Sequence, residues 1–403
     1  MSLRLAKIFF FLLCLDVVID PGNSIFNIKE ALFIGTLLLG LLYCIRQKLI
    51  INKNVFYVCL FFGLFIPVYG VLVGWVYDQA FSSEYALMYT KSFLFIWLLV
   101  IQKTSISFEK YLAIASLFVI IPSLYLVITI NAFDPRETYY FVQHKASFIS
   151  RRYFAGIIVD PVIYYKTLSL SIFGIGWLLA TLREKLSFPQ KLFKNILLAT
   201  ILLVVFYSFS RAVWICAAIL LLHHFYIKWK HKKFVKPILV ILLLVVVFVG
   251  TPMVIQKIIF VQGEEANLVK FGHISSYLHL FDEQPLVLLI GQGLGGGFYS
   301  SGFKEITYMT EITYLELIRF FGVPLFIIIM LFLFYPLYFY HRNKNHIAKR
   351  ERFVYLSFGL YLFCVATNPL LIGSTGMIVL VVLYSVVFKT KYQLSINNVQ
   401  LNL

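Results

Sequence analysis

Long apolar runs recur from one end of the chain to the other, and short polar segments separate them. A run of about 20 apolar residues is long enough to cross the hydrocarbon core of a bilayer as a helix. The pattern therefore predicts twelve membrane-spanning helices. They lie near residues 5–19, 26–45, 54–76, 85–102, 111–130, 161–181, 193–209, 211–227, 236–252, 312–340, 352–367 and 373–388.

The composition agrees with this pattern. Hydrophobic residues make up 61% of the chain and charged residues 13%, a charged fraction about half that of soluble globular domains. No segment outside the apolar runs is long enough for a sizeable soluble domain. We therefore predict an all-α integral membrane protein in which residues 1–403 form a single polytopic domain.

The net charge of +17 is typical of nucleic-acid binding proteins, but here the basic residues are concentrated in every second predicted loop. By the positive-inside rule those loops are cytoplasmic, and both chain termini then lie inside. The remaining loops face outward and carry most of the acidic residues. Two of them are long, residues 131–160 and 251–311. We therefore expect no nucleic-acid partner, and we expect the protein to act at its outer face.

A short turn between two predicted spans holds a candidate anion site. In the segment YSFSRAVWI, residues 207–215, Ser210 and Arg211 lie at the outer membrane surface. A guanidinium held between two helix ends is suited to phosphate or pyrophosphate. The alternative is an interfacial anchor beside Trp214.

The first long outer loop contains two adjacent arginines, Arg151 and Arg152, in an otherwise acidic stretch. They are either phosphate ligands or ion-pair partners of Asp134 and Glu137. The residue types do not separate these two roles.

The second long loop ends in TEITYLELIRFFGVPLF, residues 310–326. At helical spacing Glu311 and Arg319 share one face, and Glu316 and Arg319 are three residues apart and can pair. One interpretation is a general base at Glu311 supported by an arginine that binds an anion. The other is an interfacial or structural role for all three side chains.

Two lysines, Lys91 and Lys166, lie in or beside predicted spans, where an ionisable side chain is costly. Each is therefore a candidate functional residue, and the alternative is that it extends toward the interface or pairs with a carboxylate. The five cysteines all fall inside apolar runs without paired spacing, and the outer histidines are isolated. We therefore predict no disulfide framework, no metal and no cofactor.

The run LVLLIGQGLGGGFYS contains Gly291-x-Gly293-x-x-Gly296, which spells a dinucleotide-binding fingerprint. That fingerprint requires a strand that opens into a helix within a βαβ unit, whereas this run lies in an outward loop. The glycines are interpreted instead as a flexible hinge or a surface of backbone amides leading to Glu311. Plain loop flexibility is the alternative.

Four segments together, within residues 147–330, resemble the O-antigen polymerase and ligase superfamily. They are RRYFAGIIVDP, SFSRAVW, YLHLFDEQPLVLLIGQGLGGGF and TEITYLELIRFFGVPL. The resemblance implies a polytopic architecture similar to that of GT-C glycosyltransferases in the bacterial inner membrane, with the active site facing the periplasm.

The resemblance also implies a substrate and a reaction. The expected substrate is an undecaprenyl-pyrophosphate-linked oligosaccharide, and the expected partners are membrane lipids and a chain-length regulator. Glu311 and Arg211 are the expected catalytic residues. Substrate or pyrophosphate binding is expected of Arg151, Arg152, Ser210, His273, Tyr314 and Arg319.

The chain departs from the family pattern at two places. Ligases carry His-Asn where this chain has Glu311-Ile312, which favours a polymerase. Many members also have an arginine in the large loop where Lys270 and His273 stand here. A ligase and a polysaccharide flippase or transporter are the alternative functions. Transporters usually place their charged residues near the bilayer midplane, whereas here the candidates gather at one face.

Overall fold

The chain is mostly helical in a computed structural model. The structure describes residues 2–23, 26–77, 80–104, 106–125, 148–149, 152–154, 157–159, 164–208, 210–229, 265–348, 350–366, 368 and 370–401. The predicted span at 236–252 and most of the loop at 131–160 lie outside the described residues.

The α-helices of the described residues are α1 (Ser2–Ile19), α2 (Lys29–Arg46), α3 (Lys53–Leu60), α4 (Ile66–Tyr77), α5 (Ser83–Leu94), α6 (Phe108–Leu117), α7 (Ser171–Thr181), α8 (Phe188–Tyr207), α9 (Arg211–Trp229), α10 (Glu265–Glu283), α11 (Leu286–Ile290), α12 (Thr313–Asn343), α13 (Arg352–Val365) and α14 (Ser374–Leu401). A π-helical turn, Phe61–Phe65, joins α3 to α4. Two 3₁₀ segments, Phe95–Ile101 and Lys166–Leu170, extend α5 and precede α7.

Within the described residues, seven helical segments are long and apolar enough to cross a membrane. Each coincides with a predicted span. They are Lys53–Tyr77, Ser83–Ile101, Phe108–Tyr125, Phe188–Tyr207, Arg211–Lys228, Thr313–Asn343 and Ser374–Leu394.

Four other predicted spans are helices of a different kind. Helices α1 and α2 are 18 residues long and carry three charged residues each, such as Asp16 in α1 and Lys29 in α2. The segments Lys166–Thr181 and Arg352–Val365 are apolar but shorter. The described residues therefore support a helical membrane protein, but they do not establish that it has twelve spans.

The helices pack around the segment Ser374–Leu394, of which 72% is buried inside the protein, whereas Phe188–Tyr207 is only 17% buried. Helix α14 contacts α5, α6, α12 and the 3₁₀ segment after α5. The five cysteines are buried and free. Lys91, on α5, pairs with Glu30 at 3.2 Å, which is the carboxylate pairing named as an alternative to a functional role.

In the described part of the chain, three two-stranded antiparallel sheets accompany the helices, a feature that the hydropathy pattern does not predict. They pair β1 (Phe148–Ile149) with β4 (Tyr164–Tyr165), β2 (Arg152–Phe154) with β3 (Ile157–Val159), and β5 (Phe298–Ser300) with β6 (Glu305–Thr307). In the β5–β6 hairpin Phe298 is opposite Thr307. This hairpin lies between the glycine run and α12.

Helix α12 is broken at Gly322, whose backbone is non-helical at φ 69° and ψ 167°. In an unbroken helix the carbonyl of Phe320 would accept a hydrogen bond from residue 324. That residue is Pro324, which has no N–H. The sequence Phe-Gly-Val-Pro therefore frees the carbonyls before the break, and an apolar environment requires that they find other donors.

The glycine run supplies those donors. The N–H groups of Gln292 and Gly293 donate to the carbonyls of Arg319 and Phe320, and the N–H of Leu294 donates to the carbonyl of Gly70 at 2.7 Å. Residues 291–298 are all buried. The N–H groups of residues 291–294 are therefore used within the protein and do not form a surface of free backbone amides.

Close packing of backbones explains the glycines themselves. Gly293 has φ +83°, and a Cβ at this position would clash with the backbone nitrogen of Gly74 on α4. Gly70 and Gly74 are four residues apart, the spacing of small residues that lets helical segments approach closely in membranes. The run is thus clamped between α4 and α12.

We predict that Gly293→Ala destabilises the protein by about 2 kcal/mol or more, because it adds both a positive-φ strain and a backbone clash. The matched control is Gly359→Ala in α13, where the nearest atom would lie 3.9 Å away, on Leu337. That change should be neutral or stabilising by up to about 1 kcal/mol. Thermal unfolding in detergent measures the stability of both variants. Equal unfolding midpoints for the two would contradict the close packing of the glycine run between α4 and α12.

Candidate active site

The guanidinium of Arg319 is the centre of the polar interior, with 0% of the residue exposed. It donates from Nε and Nη2 to the two carboxylate oxygens of Glu316 at 3.0 and 2.8 Å. The predicted ion pair between these residues is confirmed. Its bidentate geometry is the strong form of this interaction.

The other donors of Arg319 bind the segments around it. Nη1 donates to Gln292 Oε1 at 2.9 Å and to the carbonyl of Gly296 at 2.6 Å, and Nη2 donates to the carbonyl of Tyr308 at 3.1 Å. The guanidinium carbon also lies 4.7 Å from the ring centre of Phe298. All five N–H donors are used, so in this conformation Arg319 has none left for a substrate phosphate, and its observed role is structural.

Tyr277 and Thr310 complete this buried network. The Tyr277 hydroxyl donates to Glu316 Oε2, and it lies 2.6 Å from Thr310 Oγ1. Burial, together with the neighbouring Glu316 carboxylate, raises the pKa of Tyr277 well above its ordinary value. The phenol therefore stays protonated and remains a donor, which leaves Thr310 as the donor to Tyr277.

The network fixes the chain on both sides of Glu311. Tyr308 is held through its carbonyl by Arg319. Thr310 is held by Tyr277, and its Oγ1 also accepts the backbone N–H of Ile312 at 3.3 Å. The backbone at Glu311 is thus held in a fixed position, while 46% of the Glu311 side chain is exposed.

Helix α10 presents one face to Glu311. Lys270, His273 and Tyr277 are spaced three and four residues apart, so they lie along one side of the helix. Lys270 Nζ lies 3.9 Å from Glu311 Oε2. The structure therefore brings the predicted base Glu311 and the predicted substrate residue His273 into one cluster, and it adds Lys270.

His273 is fully buried under the β5–β6 hairpin. Its Nδ1 lies 2.7 Å from Ser300 Oγ, and its Nε2 has no hydrogen-bond partner among the described residues. Burial lowers the pKa of His273, with the Lys270 charge acting in the same direction and Glu311 opposing both. The ring is therefore neutral near pH 7.

Close contact holds the hairpin on α10. Ser301 N–H donates to Ser276 Oγ at 2.8 Å, and Ser301 Oγ donates to the carbonyl of Gly272 at 2.7 Å. A Cβ on Gly272 would meet the backbone of Gly302 at 2.6 Å. The hairpin is thus fixed over His273.

The Ser-Arg turn is as short as predicted, since α8 ends at Tyr207 and α9 begins at Arg211. Ser210 is buried, and its N–H donates to Ser208 Oγ at 3.2 Å. The main packing partners of α9 are α7, α8 and α13. Helix α13 also contacts α12, the helix that follows Glu311.

The remaining predicted residues have different placements. The Tyr314 hydroxyl donates to the carbonyl of Leu362 at 3.0 Å, so it ties α12 to α13. Arg151 lies outside the described residues. Arg152 begins β2, and its side chain is not described. A substrate role for these three residues stays a prediction.

Several residues of the cluster were not predicted as site residues. Tyr277, Gln292 and Ser300 are polar side chains in apolar or glycine-rich surroundings, and each acts through a partner distant in sequence. Lys270 could have been found from the sequence, because it lies three residues before the predicted site residue His273 on the same helix. No group of three His, Cys, Asp or Glu side chains suited to a metal ion occurs in the described part of the chain.

Compared with known protein families, with characterised proteins and with solved structures, the chain gives no significant match.

We predict that Arg319→Met costs about 3–5 kcal/mol of unfolding free energy, because it leaves the buried Glu316 carboxylate without its cation. Lys91→Met is the control, since that lysine and Glu30 form a pair whose side chains are 48% and 41% exposed and which is worth about 0–1 kcal/mol. Adding Glu316→Gln to Arg319→Met should cost less than the sum of the single changes. Thermal and denaturant unfolding test this, and an Arg319→Met variant as stable as Lys91→Met would refute it.

A second prediction concerns pH. Because burial holds the pKa of His273 below its ordinary value of 6.5, the unfolded chain takes up a proton before the folded chain does as pH falls. The contribution of this residue to stability is therefore present above about pH 6.5 and is lost as pH falls toward the folded-state pKa. His273→Asn, which can keep the bond to Ser300, should make the decrease in melting temperature between about pH 7.5 and 5.5 smaller. An unchanged decrease would contradict this assignment.

Proposed function

We propose that the protein is an O-antigen polymerase or a polymerase of a related surface polysaccharide. The observation that carries the proposal is the cluster of Glu311, Lys270 and His273. It joins an accessible carboxylate on a rigid support to a cation and a buried imidazole, and its carboxylate, Glu311, lies in a segment that resembles the polymerase superfamily.

The proposed reaction transfers the growing glycan from undecaprenyl pyrophosphate to a lipid-linked repeat unit. A sugar hydroxyl of the repeat unit attacks the anomeric carbon of the donor glycan, and the bond from that carbon to the pyrophosphate oxygen breaks. Glu311 accepts the proton of the attacking hydroxyl. A general base in this position typically contributes about a hundred- to ten-thousandfold.

Positive charge is the second requirement, because the leaving pyrophosphate gains charge as the bond breaks. Lys270, 3.9 Å from Glu311, is suited to that task. Arg211 with Ser210, and Arg151 with Arg152, are the further pyrophosphate ligands that we propose. No metal or cofactor has a step in this scheme.

The proposed topology has twelve spans, both termini in the cytoplasm of a bacterium and the active site on the periplasmic side of the inner membrane. Its support is that Glu311, the hairpin and the α4–α5 connection all belong to segments with few basic residues. The segments rich in lysine and arginine join the opposite ends of the same helices.

The experiment uses the purified full chain in detergent with an undecaprenyl-pyrophosphate-linked repeat unit and follows the ladder of product lengths. Glu311→Gln should lower the polymerisation rate by about a hundredfold or more, because the amide cannot take the proton. The matched control is Glu305→Gln, an exposed carboxylate of the same loop, which should leave the rate unchanged. A full rate in the Glu311→Gln variant would refute Glu311 as the base.

The same assay distinguishes the alternative functions. A ladder that forms without a sealed membrane excludes transport as the sole activity. A ladder that forms without a lipid A core acceptor excludes an enzyme that is only a ligase. A folded wild-type protein that forms no ladder would overturn the proposed function.

A further inference from the structure

A polar cavity of about 320 Å³ lies at the helix ends that carry the basic loops. Four separate segments form it: the residues around the start of α6, helix α7, the residues from the α12–α13 connection to the start of α13, and the middle of α14. Its charged and hydrogen-bonding lining includes Glu109, Lys110, Trp177, Arg350, Glu351 and Lys389. None of these residues belongs to the candidate active site.

Among the described residues that line the cavity, three are positive and two are negative, which leaves one positive charge in excess; they are Lys110, Arg350 and Lys389, and Glu109 and Glu351. Lys389 forms an ion pair with Glu351, whose carboxylate is mostly buried. Arg350 has a weak partner outside the lining, Glu184, at 3.7 Å with both side chains about half exposed. Lys110 makes no ion pair with any residue that the structure describes. Lys110 and Arg350 are therefore available to an anion with a single negative charge.

An unsatisfied donor also lines the cavity. The indole Nε1–H of Trp177 is buried and has no hydrogen-bond partner in the described part of the chain. A buried donor without an acceptor is rare, because the loss of its bond to water is not compensated. The Trp177 indole is therefore a donor whose acceptor is not among the described residues.

Two helices begin at the cavity. Helix α6 starts at Phe108 and helix α13 at Arg352, and in neither does a side chain cap the first turn. The helix dipole at such an end favours a bound anion. Both helix starts thus act in the same direction as Lys110 and Arg350.

The surroundings indicate a lipid as the source of the anion. Lys194 of α8 lies with Nζ 5.6 Å from the ring centre of Trp177, so α8 lies next to a residue that lines the cavity. This helix exposes Phe193 and Ile196 at 66% and 57%. Acyl chains can therefore lie along α8 while the head group occupies the cavity.

We propose that this cavity binds the phosphodiester head group of an anionic membrane lipid. One negative charge matches the excess positive charge of the lining. Basic pockets between membrane helices are suited to such head groups on the cytoplasmic side. The site is independent of the proposed polymerase activity, because it shares no residue with it.

The test measures thermal unfolding of the full chain in a neutral detergent against three titrants: short-chain phosphatidylglycerol, phosphatidylcholine of the same chain length, and inorganic phosphate. We expect phosphatidylglycerol to raise the melting temperature in a saturable way and the other two to have little effect. Lys110→Ala with Arg350→Ala should weaken the apparent affinity at least tenfold, and Trp177→Phe should weaken it as well. The charge-matched control is Lys185→Ala with Lys344→Ala, two exposed residues of the same face, which should bind as the wild type does.

Three outcomes would overturn the proposal. Equal shifts with phosphatidylglycerol and phosphatidylcholine would show that head-group charge is not recognised. An equal shift with inorganic phosphate at the same affinity would identify a site for free anion instead of a lipid. Unchanged affinity in the Lys110 and Arg350 double variant would place any lipid elsewhere. Affinity, and not baseline stability, is the readout, so that loss of the Arg350–Glu184 contact does not affect the result.

Discussion

A fully buried guanidinium is the constraint on which the rest of this region depends. A charge with five donors can remain inside a membrane protein only if each donor finds an acceptor and the charge is balanced. Arg319 satisfies this with the two oxygens of Glu316, the side chain of Gln292 and the carbonyls of Gly296 and Tyr308. Three chain segments must therefore converge on it. Removal of the arginine would affect all three together.

The break in α12 follows the same logic. Gly322 and Pro324 end the regular helical hydrogen bonding, and a carbonyl freed in apolar surroundings needs a new donor. The glycine run gives its N–H groups to those carbonyls and packs its backbone against Gly74. The run thus replaces one turn of helical hydrogen bonding, and the same segment delivers the Gly296 carbonyl to Arg319. Helix break, glycine run and buried arginine form one structural unit.

Part of this structure can be predicted from the sequence, and the rest cannot, for physical reasons. Apolar run length predicts the seven long spans, and the three-residue spacing predicts the Glu316–Arg319 pair, because both are local. The role of Gly293 is not local. Its partner Gly74 is far away in the chain. The sequence alone does not distinguish a glycine that packs against another backbone from a glycine that provides flexibility. The Tyr277–Glu316 bond is hidden in the same way, since a tyrosine on α10 carries no local sign of its acceptor.

The proposed base Glu311 is close in sequence to the residues of the buried network, but it differs from them in its exposure to solvent. Glu316 is 1% exposed, and its carboxylate already accepts hydrogen bonds from Arg319 and Tyr277. Such a carboxylate has neither access to a sugar hydroxyl nor capacity for its proton. Glu311 follows Thr310, which the network holds, and keeps about half of its side chain in the open. A catalytic base needs a fixed position together with access to substrate. The buried network holds the backbone beside Glu311 and so fixes its position. Because Glu311 itself lies outside the network, its side chain remains accessible to substrate.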